Sequence, residues 1–147
     1  MLEGCLNLTV DAKGRIAIPA QFRPETGKEI VLTAHYASSC LLLFPVKVWE
    51  NTLIKIQALP SEADAIKRHL IGNANRLELD EQNRIVVPQR LRKFARFEKS
   101  AIIRGQMTHC EIWDETTLDE EEMQSMQIAR RQIEENGVPR GMENFSF

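Results

Sequence analysis

DAKGRIAIPAQFR, residues 11–23, and DEQNRIVVPQRLR, residues 80–92, are one pattern written twice. At a fixed offset of 69 positions Asp11 matches Asp80, Arg15 matches Arg84, Ile16 matches Ile85 and Ile18 matches Val87. Pro19 then matches Pro88, Phe22 matches Leu91 and Arg23 matches Arg92. The offset continues without a gap to Phe44 and Trp113, and to Trp49 and Leu118. Each copy, at roughly 45 residues, is too small to bury a core alone. The two copies are therefore expected to pack on each other about a pseudo-twofold axis, their strands building one shared barrel or sandwich. The expected class is α+β with a mainly β core and flanking helices.

Around this pattern the elements follow from periodicity and punctuation. CLNLTV (5–10) alternates apolar and polar residues and reads as a strand, and RIAI (15–18) as a second. With DAKG between them the two suggest a hairpin. Pro19 is expected to open a short helix running to about Arg23, with PETG (24–27) as a loop. EIVLTA and CLLLF are strands. Pro45 opens a helix in which Val46, Trp49, Leu53 and Ile56 share one face. Pro60 ends it, and Ser61 is expected to cap the next, SEADAIKRHLIGNA. From Arg76 the order repeats: RLEL and RIVV as strands, Pro88 opening PQRLRKFA as a helix, then SAIIRG and HCEIW as strands. Thr117 with Glu120 suggests a capping box for a last helix over about 117–135, stopped by Gly137.

The chain has 147 residues, 43% apolar and 27% charged, which is ordinary for a globular protein. Its net charge of -2 identifies no partner, but the charge is unevenly placed. Residues 66–104 carry ten basic and four acidic side chains, and residues 105–147 three basic and ten acidic. Such a basic middle is either a nucleic-acid face or a set of solvated helix faces. No secretory leader pattern is present, and the longest apolar run, Cys40 to Val46, is far below a membrane span. Cys5, Cys40 and Cys110 form no disulfide framework, which suggests a reducing cytosol.

Catalytic constellations are missing from the pattern. His35, Cys40, His109 and Cys110 match no zinc spacing, Ser38-Ser39-Cys40 has no nucleophile-elbow context, and no phosphate-binding or dinucleotide fingerprint occurs. The acidic run Asp119–Glu122 suits a helix N-terminus and needs no chemistry. Trp49 and Trp113 read as core or interface residues. The chain is not expected to be an enzyme, and no metal or cofactor is expected.

The paired segments quoted above, with CLLLFPVKVWE and CEIWDETTL, closely resemble the MraZ family over roughly residues 1–120. That family carries two AbrB-like swapped-hairpin modules per chain. The resemblance implies one pseudo-twofold swapped-hairpin barrel, with a first repeat over 5–50, linking helices over 51–76, a second repeat over 77–120 and an acidic helix and tail over 121–147. It also implies a sequence-specific DNA-binding transcriptional regulator, a repressor of the bacterial cell-division and cell-wall gene cluster. Such proteins act as ring-shaped homo-oligomers on repeated promoter sites, in the cytoplasm and associated with the nucleoid, with no membrane or small-molecule substrate involved.

The repeated residues have a physical reading beside this one. Asp11 can accept backbone N–H groups two residues on, and Gly14 can take positive φ without steric cost. The resulting turn projects Lys13 and Arg15. Arginine can donate two hydrogen bonds to a guanine edge in the major groove, and Lys13 suits a phosphate. In the second copy Asp80 and Asn83 are the turn-forming residues and Arg84 the candidate contact. Glu81-Gln82 replaces Ala12-Lys13 there, so the first turn is expected to dominate DNA binding. The bland alternative makes Asp11–Arg15 and Asp80–Arg84 structural pairs that lock their own turns. Arg90, Arg92, Lys93 and Arg96 form a basic cluster that is either a solvated face or a set of phosphate contacts. A different class of function also remains: a protein-interaction module, antitoxin-like or scaffolding, that uses the acidic C-terminal segment.

Overall fold

A computed structural model describes residues 1–147. In chain order its elements are β1 (Cys5–Thr9), β2 (Arg15–Ala17), α1 (Arg23–Thr26), β3 (Glu29–Ala34), β4 (Leu41–Pro45), α2 (Val46–Gln57), α3 (Asp64–Gly72), β5 (Asn75–Glu78), β6 (Arg84–Val86), α4 (Gln89–Ala95), β7 (Ser100–Gly105), β8 (Cys110–Asp114) and α5 (Glu115–Asn136). They fall into two compact units, Met1–Glu115 and Thr116–Phe147.

The first unit is α+β with antiparallel sheets, and the tandem pattern governs its pairing. A six-stranded sheet runs β1-β7-β8-β4-β3-β5, and β2 pairs with β6 in a separate two-stranded ribbon. Neither expected hairpin forms from its own strands. β1 pairs with β7 rather than β2, and β5 pairs with β3 rather than β6. Each copy thus hands its first strand to the other. The ribbon register places Ile16 opposite Ile85, and the β4–β8 register places Leu42 opposite Glu111. Both pairs are separated by the repeat offset, so the pairing is symmetric about them. The expected closed barrel is not what the strands build. The six-stranded sheet is open, with β1 and β5 as its edges, and the ribbon is a sheet of its own.

Alternation along the central strands sorts their side chains onto two faces. Ile30, Leu32, Leu41, Leu43, Ile103 and Ile112 join Ile16, Ile85, Phe22 and Leu91 in a core between the sheet and the ribbon. Val31, Leu42 and Phe44 on the opposite face pack with Trp49, Ile56 and Leu70 from α2 and α3 in a second core. The Thr33 hydroxyl donates to the Leu70 carbonyl at 2.6 Å, anchoring α3 to β3.

Several element boundaries differ from expectation for local reasons. Pro19 starts a turn, closed by the Phe22 N–H on the Pro19 carbonyl at 3.0 Å, and α1 begins only at Arg23. Pro24 is the cause: it has no N–H to give to residue 20, so a helix started at Pro19 could not continue. Lys93 occupies the matching position of the second copy, and α4 does start directly after Pro88. Ser61 lies in a 3-10 turn, Ser61–Ala63, ahead of α3 and does not cap it. Thr117 lies inside the first turn of α5, which starts two residues earlier than the capping-box reading. Gly137, at φ 77, follows the last residue of α5 and donates its N–H to Ile133.

In the second unit α5 continues from Thr116 to Asn136. Met123, Met126, Ile128 and Ile133 on it are exposed. No helix is long and apolar enough to cross a membrane.

Candidate nucleic-acid interface

The two turns that begin at Asp11 and Asp80 have the same internal wiring. Asp11 Oδ1 accepts the backbone N–H of Lys13 at 2.9 Å and of Arg15 at 2.8 Å, while Oδ2 accepts Arg15 Nε at 2.6 Å. Asp80 Oδ1 accepts the N–H of Gln82 at 2.8 Å and of Arg84 at 2.9 Å, and Oδ2 accepts Arg84 Nε at 3.0 Å. The backbone N–H of each aspartate also bonds the carbonyl of its arginine, at 3.1 and 2.9 Å. These donors hold both carboxyls below the usual aspartate value; the backbone N–H of the paired arginine is the largest cause in each turn.

A reversal this tight needs a left-handed residue before the arginine, and Gly14 (φ 78) and Asn83 (φ 61) supply it. Their carbonyls then tie the copies together. The Gly14 carbonyl accepts the Val87 N–H, and the Asn83 carbonyl accepts the Ile18 N–H, each at 2.9 Å. The turns therefore sit at opposite ends of the β2–β6 ribbon, locked to it by backbone bonds.

This arrangement brings Arg15 and Arg84 together. Ile16 and Ile85 point into the core, so alternation puts Arg15, Ala17, Arg84 and Val86 on the other face of the ribbon. Arg15 and Arg84 are diagonal neighbours across the pair, a relation that separates residues by roughly 7–8 Å and their Cβ atoms by somewhat less. Each arginine spends its Nε on its own aspartate, and its terminal amino groups bond nothing in the protein. The structural pairing and an outward-facing function are thus compatible within one guanidinium. Lys13 is exposed at the tip of the first turn, where the second presents Glu81 and Gln82.

Two features of this face were not read from the sequence. Val86, 53% exposed, presents an apolar surface beside the arginines. Strand alternation around Ile85 would have revealed it once that side was known to face inward. The other is the position of Arg92, legible in the sequence only as one of a basic cluster: its guanidinium lies over Gly14 so closely that a Cβ there would meet it at 2.5 Å. Its Nε is buried and bonds nothing. Arg92 and its neighbours Lys93 and Arg96 line a cleft of about 760 Å³ beside Asp11 and Ala12. Arg90 points elsewhere, donating to Asn73 Oδ1 at 3.1 Å. Arg96 takes a left-handed conformation after α4, and the Phe97 N–H closes onto the Arg92 carbonyl at 3.0 Å in a Schellman-type bond.

Of the residues considered for catalysis, His35 and His109 meet at one groove and the cysteines lie in the interior. Cys40 and Cys110 are fully buried, and burial pushes the Cys110 thiol up to about 12. No group of three or more metal-ligating side chains forms. Trp49 and Trp113 are buried, 3% and 4% exposed, as core residues.

Known proteins match both copies. The family profile described as "MraZ protein, putative antitoxin-like" matches residues 1–69 and again residues 70–140. A protein of Cupriavidus taiwanensis named transcriptional regulator MraZ is 36% identical over 151 residues, with each chain covered completely. One of the same name from Azoarcus sp. is 38% identical, with 99% of each chain covered. Another from Pseudomonas fluorescens is 38% identical over 126 residues, covering 81% of this chain and 83% of its own. With two family units spanning nearly the whole length and relatives alike from end to end, this chain belongs to the MraZ family.

Proposed function

We propose that this chain is a transcriptional regulator that binds double-stranded DNA sequence-specifically through the outer face of the β2–β6 ribbon. The carrying observation is the placement of Arg15 and Arg84 on that face, each braced through Nε by an aspartate and each partly exposed, 30% and 29%. A two-stranded ribbon fits the major groove, about 12 Å wide, where arginine pairs with guanine O6 and N7. Pre-orientation by Asp11 and Asp80 lowers the side-chain entropy lost on binding. Their carboxylates repel phosphate, so these residues, with Gly14 and Asn83, shape the turns and leave contact to the arginines. Lys13 adds a phosphate contact at the first tip. Glu81 opposes one at the second, which makes Arg15 the stronger reader and Arg84 the weaker.

The chain acts as a repressor of the cell-division and cell-wall gene cluster, in the cytoplasm and on the nucleoid, with no small-molecule substrate or membrane step. One protomer offers few cations to DNA. A homo-oligomeric ring that engages repeated promoter sites makes later contacts intramolecular and raises avidity by ~10²–10⁴. Exposed Met123, Met126, Ile128 and Ile133 on α5 support packing against another protein surface. The same residues, with the acidic run Asp119–Glu122, favour a second reading in which that segment docks a protein partner.

Fluorescence anisotropy tests the reading with wild type, Arg15→Ala and Arg84→Ala on the upstream DNA of the protein's own gene and on a scrambled fragment, across a salt series. Wild type is expected to prefer its own fragment by at least ~10³. Arg15→Ala is expected to lose roughly 5–150-fold of affinity, the equivalent of one bidentate base contact, and Arg84→Ala less. Equal, weak binding of both fragments by wild type defeats the proposal.

A further inference from the structure

The second core opens to solvent at one end, away from the ribbon. A groove of about 340 Å³ lies there, walled by α2, Leu70 of α3, and the loops β3–β4 and β7–β8. Small-molecule sites begin at about this size, ~300–1,000 Å³. Its walls are flat. Phe44 stacks on His109 with ring centroids 5.1 Å apart and planes 27° apart, and it tilts against Trp49 at 5.2 Å. At the same groove Tyr36 stacks on His35 at 5.0 Å and 17°, with Tyr36 itself exposed.

The polar groups are few and one-sided. Burial lowers the pKa of His109, its neighbour His35 pushes the same way and Glu111 opposes them, so the ring presents a neutral surface at neutral pH. No carboxylate lines the groove. Lys55 lies at its rim, exposed and without an ion pair. The Thr52 hydroxyl donates to the Val48 carbonyl at 2.8 Å, which leaves its oxygen able to accept a further hydrogen bond.

We propose that this groove binds a small planar aromatic carboxylate, its ring lying against the exposed Tyr36 and the half-buried His109, over the buried Phe44 and Trp49, and its carboxylate on Lys55. An aliphatic acid of the same charge forgoes the stacking that these walls offer. An aromatic cation of the same shape meets Lys55 as a like charge. Both halves of the ligand's chemistry are thus specified by residues outside the DNA-facing ribbon, and binding here does not depend on the DNA-binding proposal being correct.

The test uses the full-length protein with 2-naphthoate as probe, followed by calorimetry and by ligand-observed saturation-transfer NMR. Cyclohexanecarboxylate controls for the flat ring and 2-naphthylmethylamine for the charge. Saturable binding of 2-naphthoate with a Kd of about a millimolar or tighter is expected, with both controls at least ~10-fold weaker. Lys55→Glu, a change at an exposed site, is expected to weaken 2-naphthoate at least ~10-fold, and Thr52→Trp, which fills the groove, to abolish it. No saturable binding, equal binding of the amine, or indifference to Lys55→Glu overturns the proposal. So does a change in sedimentation coefficient on Lys55→Glu without any ligand effect, which would make the groove a contact between copies of this chain.

Discussion

The turns at Asp11–Arg15 and Asp80–Arg84 share a skeleton and differ at their tips. In both, one carboxylate gathers two backbone N–H groups and the arginine Nε. Between those anchors Ala12-Lys13 stands against Glu81-Gln82, all exposed. The hydrogen bonds that make the turn involve only the backbone of the tip residues, so tip side chains are free to change without loss of the fold. The left-handed position is constrained differently in each copy. Gly14 lies beneath the Arg92 guanidinium, which would have to shift to admit a side chain, whereas Asn83 already carries one at φ 61. Local geometry is therefore held in common, and the charge offered to a ligand is set separately at each end.

The strongest way to break this comparison is to cut the chain between its copies. Residues 1–69 alone lack β7 beside β1, β6 beside β2 and β8 beside β4. That fragment is expected to show no folded monomer by circular dichroism and proton-shift dispersion, and mixing it with 70–147 is expected to restore the native spectrum. A folded monomeric fragment would mean that the copies do not share their cores.

A sharper probe exchanges the left-handed residues. Gly14→Asn is expected to cost ~1–3 kcal/mol, since the new Cβ meets the Arg92 guanidinium, which must give way. Asn83→Gly is expected to stay within about 0.5 kcal/mol of wild type, relief of strain offsetting the added freedom of the unfolded chain. Urea midpoints read both, and equal losses would show that Arg92 does not distinguish the sites.

The smallest expected effect is on acid stability. The folded pKa of Asp11 is lowered from 3.8, so its contribution is complete well above that value and fades as pH falls through the folded value. The stability difference between wild type and Asp11→Asn should be flat from about pH 5 to 7 and narrow below about pH 4. A difference that widens on acidification would contradict the hydrogen bonds assigned to the carboxylate.

What could be read in the sequence was local. The Asp, the left-handed residue and the Arg interact within four positions of one another, so the turn is written in a short window. Strand partners are not. Alternation in CLNLT tells which side chains share a face but not which strand lies alongside, and a local hairpin leaves the same pattern as an exchange with β7. The arginines could therefore be singled out individually, while their common face depended on the β2–β6 pairing. The start of α1 is not legible from Pro19 alone, because Pro24 five residues later decides it, whereas the counterpart Pro88 has no second proline behind it. The aromatic groove joins loops from both copies to α2, and no window of sequence contains it.

The exchange of first strands has a further consequence for how this protein exists in a cell. A homodimer of half-length chains could build the same paired sheets, but it would come apart on dilution, with a folded fraction that follows expression level. Covalent linkage replaces that encounter with one at an effective concentration of order millimolar, whatever the number of molecules present. It also removes the rule of a symmetric dimer that any change in one loop must appear in both. Lys13 can remain a cation while Gln82 does not, and a molecule with twofold architecture can meet an asymmetric partner with two unequal hands.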